Sequence, residues 1–410
     1  MSKIHRLIAI LVTVMVILGA WCACAQDWPQ WRGANRDGHV TGFAAPEQWP
    51  AALTQAWSVM VGEGDATPAL VGDRLYVFTR QGDEEVTRCL SAADGSELWR
   101  EAYVAAPVTG PSARHPGTRS SPAVAEGKVV TLGAAGVLSC LDAETGALVW
   151  RKDPFPNAVP SFFTACSPII VNGMAIAHLG AEDNGAIIAY DLATGEDTWR
   201  WDGMGPQYSS PVLMTAHETP QLVTLTANSV VGLDVATGAL LWQLPFVPQG
   251  RAYNSATPVV NGEMVIVTGS GRGTRALRVV AQEGGFGVEE VWSNPDISCQ
   301  FSTPVLHEGL LFGLSDRGTL FCLRAETGET AWVGADQLDR GSFGPVVDVG
   351  SALLVLPSSG DLIVFAPSAE AYTELARIKA SDTPVYAHPV IAGNRVFVKG
   401  QDTLTLWVMQ

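Results

Sequence analysis

The stretch SSPAVAEGKVVTLGAAGVLSCLDAETGALVW, Ser120 to Trp150, decides the fold. Turn chemistry at Glu126-Gly127 and at Ala143–Gly146 separates β-favouring runs of ordinary strand length. The order is a strand opened by proline, a turn, a second apolar strand, a third strand, a tight turn, and a strand carrying tryptophan. The same unit, a small polar residue then Pro then an apolar residue, recurs at Pro68, Pro122, Pro168, Pro211, Pro258, Pro304, Pro345 and Pro389. The spacings are 54, 46, 43, 47, 46, 41 and 44 residues. A period of that length means a repeat architecture, and four short antiparallel strands per unit make one blade of a β-propeller.

The last turn of the unit recurs as AADGSELW (Ala92–Trp99), AETGALVW (Ala143–Trp150), LATGEDTW (Leu192–Trp199), VATGALLW (Val235–Trp242) and AETGETAW (Ala325–Trp332). Glycine supplies the positive φ of a hairpin whose twist matches its strands, and Asp94 or the equivalent threonines bond nearby backbone amides. Trp99, Trp150, Trp199, Trp242, Trp292 and Trp332 then read as apolar plates laid between blades rather than as chemistry. Two units depart: the fifth has the longer AQEGGFGVEEVW (Ala281–Trp292), and the seventh, PSAEAYTEL, carries Leu375 where tryptophan is expected. The eighth ends at Gln410 with only three strands, while Trp57 lies on a tryptophan strand with no proline strand ahead of it. Pairing that strand with the C-terminal strands near Leu404 completes an all-β, eight-bladed propeller over residues 53–410 and removes a bare sheet edge.

Ahead of the ring, Lys3, His5 and Arg6 precede an apolar run, Leu7–Trp21, that ends at the small-x-small site Ala23-Cys24-Ala25. Residues 1–25 are expected to be a removed secretory signal and 26–52 an N-terminal extension packed on the ring. Trp21 is unsuited to a lipobox, so no lipid anchor is expected, and no later segment is long and apolar enough to span a membrane. The remaining chain carries 23 basic against 41 acidic side chains, a balance that repels phosphate backbones and argues against nucleic-acid binding. Five cysteines remain, without zinc or haem spacing. Cys89, Cys140 and Cys322 occupy equivalent positions in different blades, too far apart to bridge, and read as small core residues.

The unit A-x-[DT]-G-x-x-x-W behind a proline strand resembles the pyrroloquinoline-quinone (PQQ) repeat of quinoprotein alcohol dehydrogenases and BamB-like envelope proteins. The segment DWPQWRGANRDG (Asp27–Gly38) also resembles the stretch ahead of the first blade in many exported proteins of this group. The resemblance implies one of two functions. The first is a non-catalytic scaffold of the periplasm or cell envelope, monomeric, which binds a protein or peptide partner and takes no cofactor. The alternative is a PQQ- and calcium-dependent alcohol or sugar dehydrogenase. Catalytic members resemble one another in a vicinal Cys-Cys disulfide, calcium ligands and inserted loops; this chain has no adjacent cysteines, short insertions and no haem motif, so the scaffold is favoured.

A ligand site is expected at the funnel mouth, among residues just before each proline strand: Asp65, Arg119, Cys166, Tyr208, Tyr253, Asn254, Gln300, Phe301, Phe343, Tyr386 and His388. Aromatic faces, a guanidinium and amides suit a planar or carboxylated molecule, and equally an ordinary solvent-filled rim. Arg119, on the long first connection, is the sharpest candidate for meeting an anion. His115 and His388 lack a ligand at metal spacing and are assigned no metal. AEDNG (Ala181–Gly185) has acidic oxygens for a weak cation site but also ordinary hairpin composition. DWPQWRGANRDG reads as a structural tether first and a docking arm second, its tryptophans pinning the chain to the ring.

Overall fold

The computed structural model describes residues 27–43 and 45–409, so the secretory-signal reading of 1–25 lies outside the described residues. Eight four-stranded antiparallel sheets form the ring, each strand paired with its neighbour in chain order. Blade 1 comprises Ala69–Val71, Arg74–Gln81, Glu84–Ser91 and Glu97–Val104, and the proline strand is innermost. Blade 8 is the exception that closes the ring. Thr54–Met60 is its outermost strand, antiparallel to Thr403–Val408, with Trp57 opposite Leu406 and Val59 opposite Leu404. The pairing expected from the orphan Trp57 strand is therefore present.

The tryptophans and glycines of the repeat turn out to be two halves of one clasp. The indole N–H of five of these tryptophans donates to the first carbonyl of the next blade's turn: Trp57 to Ala92, Trp99 to Ala143, Trp150 to Leu192, Trp199 to Val235 and Trp292 to Ala325. Trp332 reaches Ser368 in the same way. The indole lies on the turn glycine itself. Gly146 has φ +74°, and a Cβ there would come within 2.5 Å of the Trp99 ring. Glycine is needed twice over, for the left-handed backbone and for room beneath the plate. Asp142, Asp191 and Asp234 hold the turn from its leading edge by accepting the backbone N–H of Thr145, Thr194 and Thr237. The three equivalent cysteines lie buried opposite tryptophans, Cys89 against Trp99, Cys140 against Trp150 and Cys322 against Trp332, and are unbridged.

Blade 5 shows what happens when the turn is lengthened. Gly273–Gln282 and Gly285–Asn294 form an extended hairpin, and Phe286 at its tip stacks on His217 of blade 4, 6.1 Å between centroids. With no short turn to receive it, Trp242 donates instead to Gln221 Oε1 at 2.6 Å.

The small polar residue before each proline has its own task. The Thr67 amide donates to Ser121 Oγ, Ser121 to Ser167, Ser167 to Ser210, Ser210 to Thr257 and Thr257 to Thr303, so blades 1 to 6 are tied in series around the channel. His388 donates back to Thr67 across the closure. These hydroxyls satisfy amides that no strand reaches, which a buried channel wall requires. Blade 7 has Gly344 at this position, and its amide turns back to Ser302 Oγ.

Candidate functional site

The connections that lead into the proline strands gather at one end of the channel, the mouth. There an aromatic collar runs through most of the circumference. Phe301 stacks on Phe343 at 4.6 Å, Phe343 meets Tyr386 edge-on at 4.9 Å, and Tyr386 meets His115 at 5.0 Å. On the other arc Phe162, Tyr208 and Tyr253 contact one another edge to face. Arg119 joins the two arcs. Its Nη1 donates to the Phe162 carbonyl at 2.9 Å and its Nη2 to the His115 carbonyl at 2.7 Å. Its donors thus hold loops together, which differs from the free cation expected there. Burial lowers its pKa, but a guanidinium stays charged at neutral pH.

Asp65 is likewise engaged, 3.3 Å from His115 Nδ1, and that bond raises the His115 pKa. Tyr208 accepts the Phe162 amide at 3.0 Å, and burial raises its phenol. The large surfaces left at the rim are Phe301, 43 % exposed, with the half-buried Phe343, Tyr386, Tyr208 and Tyr253.

Four of the residues expected at the mouth are buried beneath it. Asn254 is fully enclosed; its amide donates to the Thr226 and Phe246 carbonyls and its oxygen accepts Arg272. Cys166 donates to the His178 carbonyl at 3.3 Å, and burial pushes its thiol up to about 12, so it is an inert core group rather than a reactive thiol. Gln300 and His388 lie lower in the channel, where Gln300 Oε1 and His388 Nε2 have no partner among the described residues. The cause is common to all four: a position just before a proline strand points either to the rim or down the wall, and composition does not say which. In AEDNG, Glu182 accepts the Ser161 amide and hydroxyl, a loop tie. Phe162 and His115 complete the collar. Phe162 was the residue missed; its signal was an aromatic run, SFF (Ser161–Phe163), in the same connection as Cys166.

The opposite end of the channel is filled by DWPQWRGANRDG. Trp28 pairs with Leu70 of blade 1 through two 2.8 Å backbone bonds, and Pro29 accepts the Val124 amide of blade 2. Arg32 reaches blade 6, donating to the Thr303 and Pro304 carbonyls at 2.7 Å, while Arg36 reaches blade 3 at Pro168 and Ser167. Trp31 meets His388 of blade 8 edge-on at 5.4 Å. Past Gly38 the chain leaves along blade 7, where the Val40 amide donates to the Asp348 carbonyl, the Asp348 amide donates to the Gly38 carbonyl, and the buried Asp348 carboxylate sits between His39 and His307. Trp28 is 1 % exposed and Arg32 1 %. The segment is a plug inside the ring, spanning it from wall to wall.

An eight-bladed ring of proline-strand and tryptophan-strand repeats, with a loop-built mouth, defines a PQQ-repeat propeller. Within that class, the family model described as outer membrane protein assembly factor BamB matches residues 82–333, and the chain belongs to that family. It is 25 % identical over 361 residues to the BamB of Burkholderia pseudomallei, covering 85 % of this chain and 86 % of that one. The crystal structure of BamB from Moraxella catarrhalis superposes with a TM-score of 0.65 at 17 % identity, over 87 % of this chain and all of that one. The quinohemoprotein alcohol dehydrogenase of Comamonas testosteroni is 29 % identical over 199 residues, which cover 46 % of this chain and only 28 % of that enzyme. Its structure superposes with a TM-score of 0.67 at 15 % identity. The ring is thus shared by an outer membrane protein assembly factor and a quinohemoprotein alcohol dehydrogenase alike.

Proposed function

We propose that this chain is a non-catalytic scaffold of the cell envelope whose mouth binds a protein partner in outer membrane protein assembly. The observation that carries this reading is end-to-end correspondence with a BamB, 86 % of that protein, set against 28 % of the quinohemoprotein enzyme. An exposed Phe301 among half-buried aromatics around a rim, on loops braced by Arg119, is the composition of a protein-binding hot spot.

The residues at the mouth do not fit a calcium-bound quinone. The carboxylates stand on separate connections and are engaged locally: Asp65 with His115, Asp339 with the amides of Gly341, Phe343 and Ser358, Asp316 with the hydroxyls of Ser270 and Ser298. Among the described residues no three His, Cys, Asp or Glu converge to hold an ion. Among the described residues no helix is long and apolar enough to cross a membrane.

The test is capture from envelope extracts, comparing the natural chain with Phe301→Ala and Phe343→Ala. Loss of ~30-fold in affinity for a captured assembly protein is expected from removing one anchor aromatic. Unchanged capture by both variants would move the contact away from the mouth. Quinone-dependent oxidation of an alcohol by the purified chain would overturn the non-catalytic reading.

A further inference from the structure

The plug does not fill the ring evenly. Where it faces blades 4 and 5 it leaves a cavity of about 210 Å³. One wall is apolar, built by Val212 and Leu213 of blade 4 and by Pro258, Val259 and Val260 of blade 5. The other wall is the plug itself, with Arg32, Arg36 and Asp37.

Both guanidinium groups are buried, 1 % and 3 % exposed. Arg32 donates only to the main-chain carbonyls of Thr303, Asp37 and Pro304, and Arg36 to those of Pro168 and Ser167 and to the Gln30 side chain. The Nε–H of each has no partner among the described residues. Burying a cation is costly unless a counter-charge meets it. Asp37 is the one acid on the cavity wall, and its Oδ1 accepts the His39 amide at 3.0 Å. The wall therefore carries two positive charges against one negative, an excess that a single monoanion would neutralise.

We propose that this cavity binds a small univalent carboxylate with a short apolar tail, its charge answered by Arg32 and Arg36 and its tail lying along Val212, Leu213 and Val259. A guanidinium presents a planar fork matched to carboxylate geometry. The charge count selects a monoanion, and the apolar wall selects a tail. Asn35 and Leu213, the latter 38 % exposed, stand at the rim and leave it open to solvent. The site lies at the opposite end of the channel from the mouth, and does not depend on what the mouth binds.

The experiment titrates the purified chain with butyrate, with its neutral isostere butyramide, and with inorganic phosphate, by calorimetry and by melting. Butyrate should give a saturable heat and raise Tm, butyramide neither, and phosphate less than butyrate. Arg36→Gln should weaken butyrate by ~10-fold or more, the loss expected of a charge-assisted bond. Leu213→Trp, at an exposed position, should narrow the cavity and weaken butyrate while leaving both arginines and the melting of the free chain in place. Should Arg36→Gln fail to fold, the amide control and Leu213→Trp still decide. Absence of a butyrate heat, equal binding of butyramide, phosphate as strong as butyrate, or undiminished butyrate binding to Leu213→Trp would each overturn the proposal.

Discussion

The two ends of the channel are built in opposite ways. At the mouth, the connections into blades 2 to 8 contribute ring faces, and Arg119 and Tyr208 bond neighbouring backbone. At the other end, one unrepeated segment fills the channel with two tryptophans and two buried arginines. The walls between them are the repeat itself, identical in principle from blade to blade. The contrast teaches where individuality resides: the blades specify a ring, and the mouth and plug specify which ring it is. If that division is right, damage to the plug should be felt by the whole fold, damage to a wall by one seam, and damage to the rim hardly at all.

The sharpest break is at the plug. Trp28 is almost fully buried between the plug and blade 1, and its backbone completes a two-bond bridge to Leu70. Trp28→Ala should lower unfolding free energy by ~3–5 kcal/mol, as for large-to-small changes in a packed core. Denaturant titration reads this directly, and a loss below ~1 kcal/mol would mean that the plug rests on the ring without bracing it.

The second break is by acid. Burial depresses His178 to about 4, and His388, beside Arg32, well below its ordinary value, so both are neutral in the fold. In the unfolded chain each would take up a proton near pH ~6.5. As pH falls below that, the unfolded state binds protons that the native state does not, and stability is lost down to about pH 4 for His178. The slope approaches ~1.4 kcal/mol per pH unit for each histidine. Denaturant midpoints at pH 7, 6 and 5 should fall for the natural chain and fall less steeply for His178→Leu; parallel curves would refute the assignment.

A smaller effect isolates the wall. Gly146 and Gly127 both have positive φ, +74° and +72°, but a Cβ on Gly127 meets open space while one on Gly146 meets the Trp99 ring. Gly127→Ala should cost ~1 kcal/mol from backbone strain alone, and Gly146→Ala ~1–3 kcal/mol more as the clasp is forced apart. Equal costs would show that the tryptophan plate is indifferent to the turn beneath it.

These regions also differ in how far the amino-acid sequence discloses them. The blades are legible because proline, glycine and tryptophan punctuate each at fixed offsets; even the closure follows, since Trp57 is a strand without a blade and blade 8 a blade without a strand. The collar is legible in position but not in orientation. Asn254 and Tyr253 are adjacent, yet one is enclosed by three carbonyls in or just after blade 4 and the Arg272 guanidinium of blade 5, and the other lies at the rim. The plug was legible only as packing. Its arginines bind carbonyls 131 to 272 residues away, at turn positions with φ near +60° that no periodicity announces. Long-range contacts of an unrepeated segment leave no pattern to read.

The rim supplies the smallest expected change in stability and the most informative one. Phe301 is 43 % exposed and has one strong neighbour, Phe343, stacked 5° from parallel. An aromatic pair of this kind is worth ~0.5–1.5 kcal/mol, and the exposed face contributes nothing to the fold. Phe301→Ala should therefore lower the unfolding free energy by no more than ~1.5 kcal/mol, against several for Trp28→Ala in the same assay. Aromatic surface left in solvent at that density is not required by the blades, whose seams are already closed by the tryptophan clasps and the hydroxyl belt. A stability loss matching Trp28→Ala would make Phe301 a structural residue and erase the distinction between the two ends. A loss within ~1.5 kcal/mol, combined with impaired capture of an envelope partner, would assign the rim to recognition and the plug to architecture.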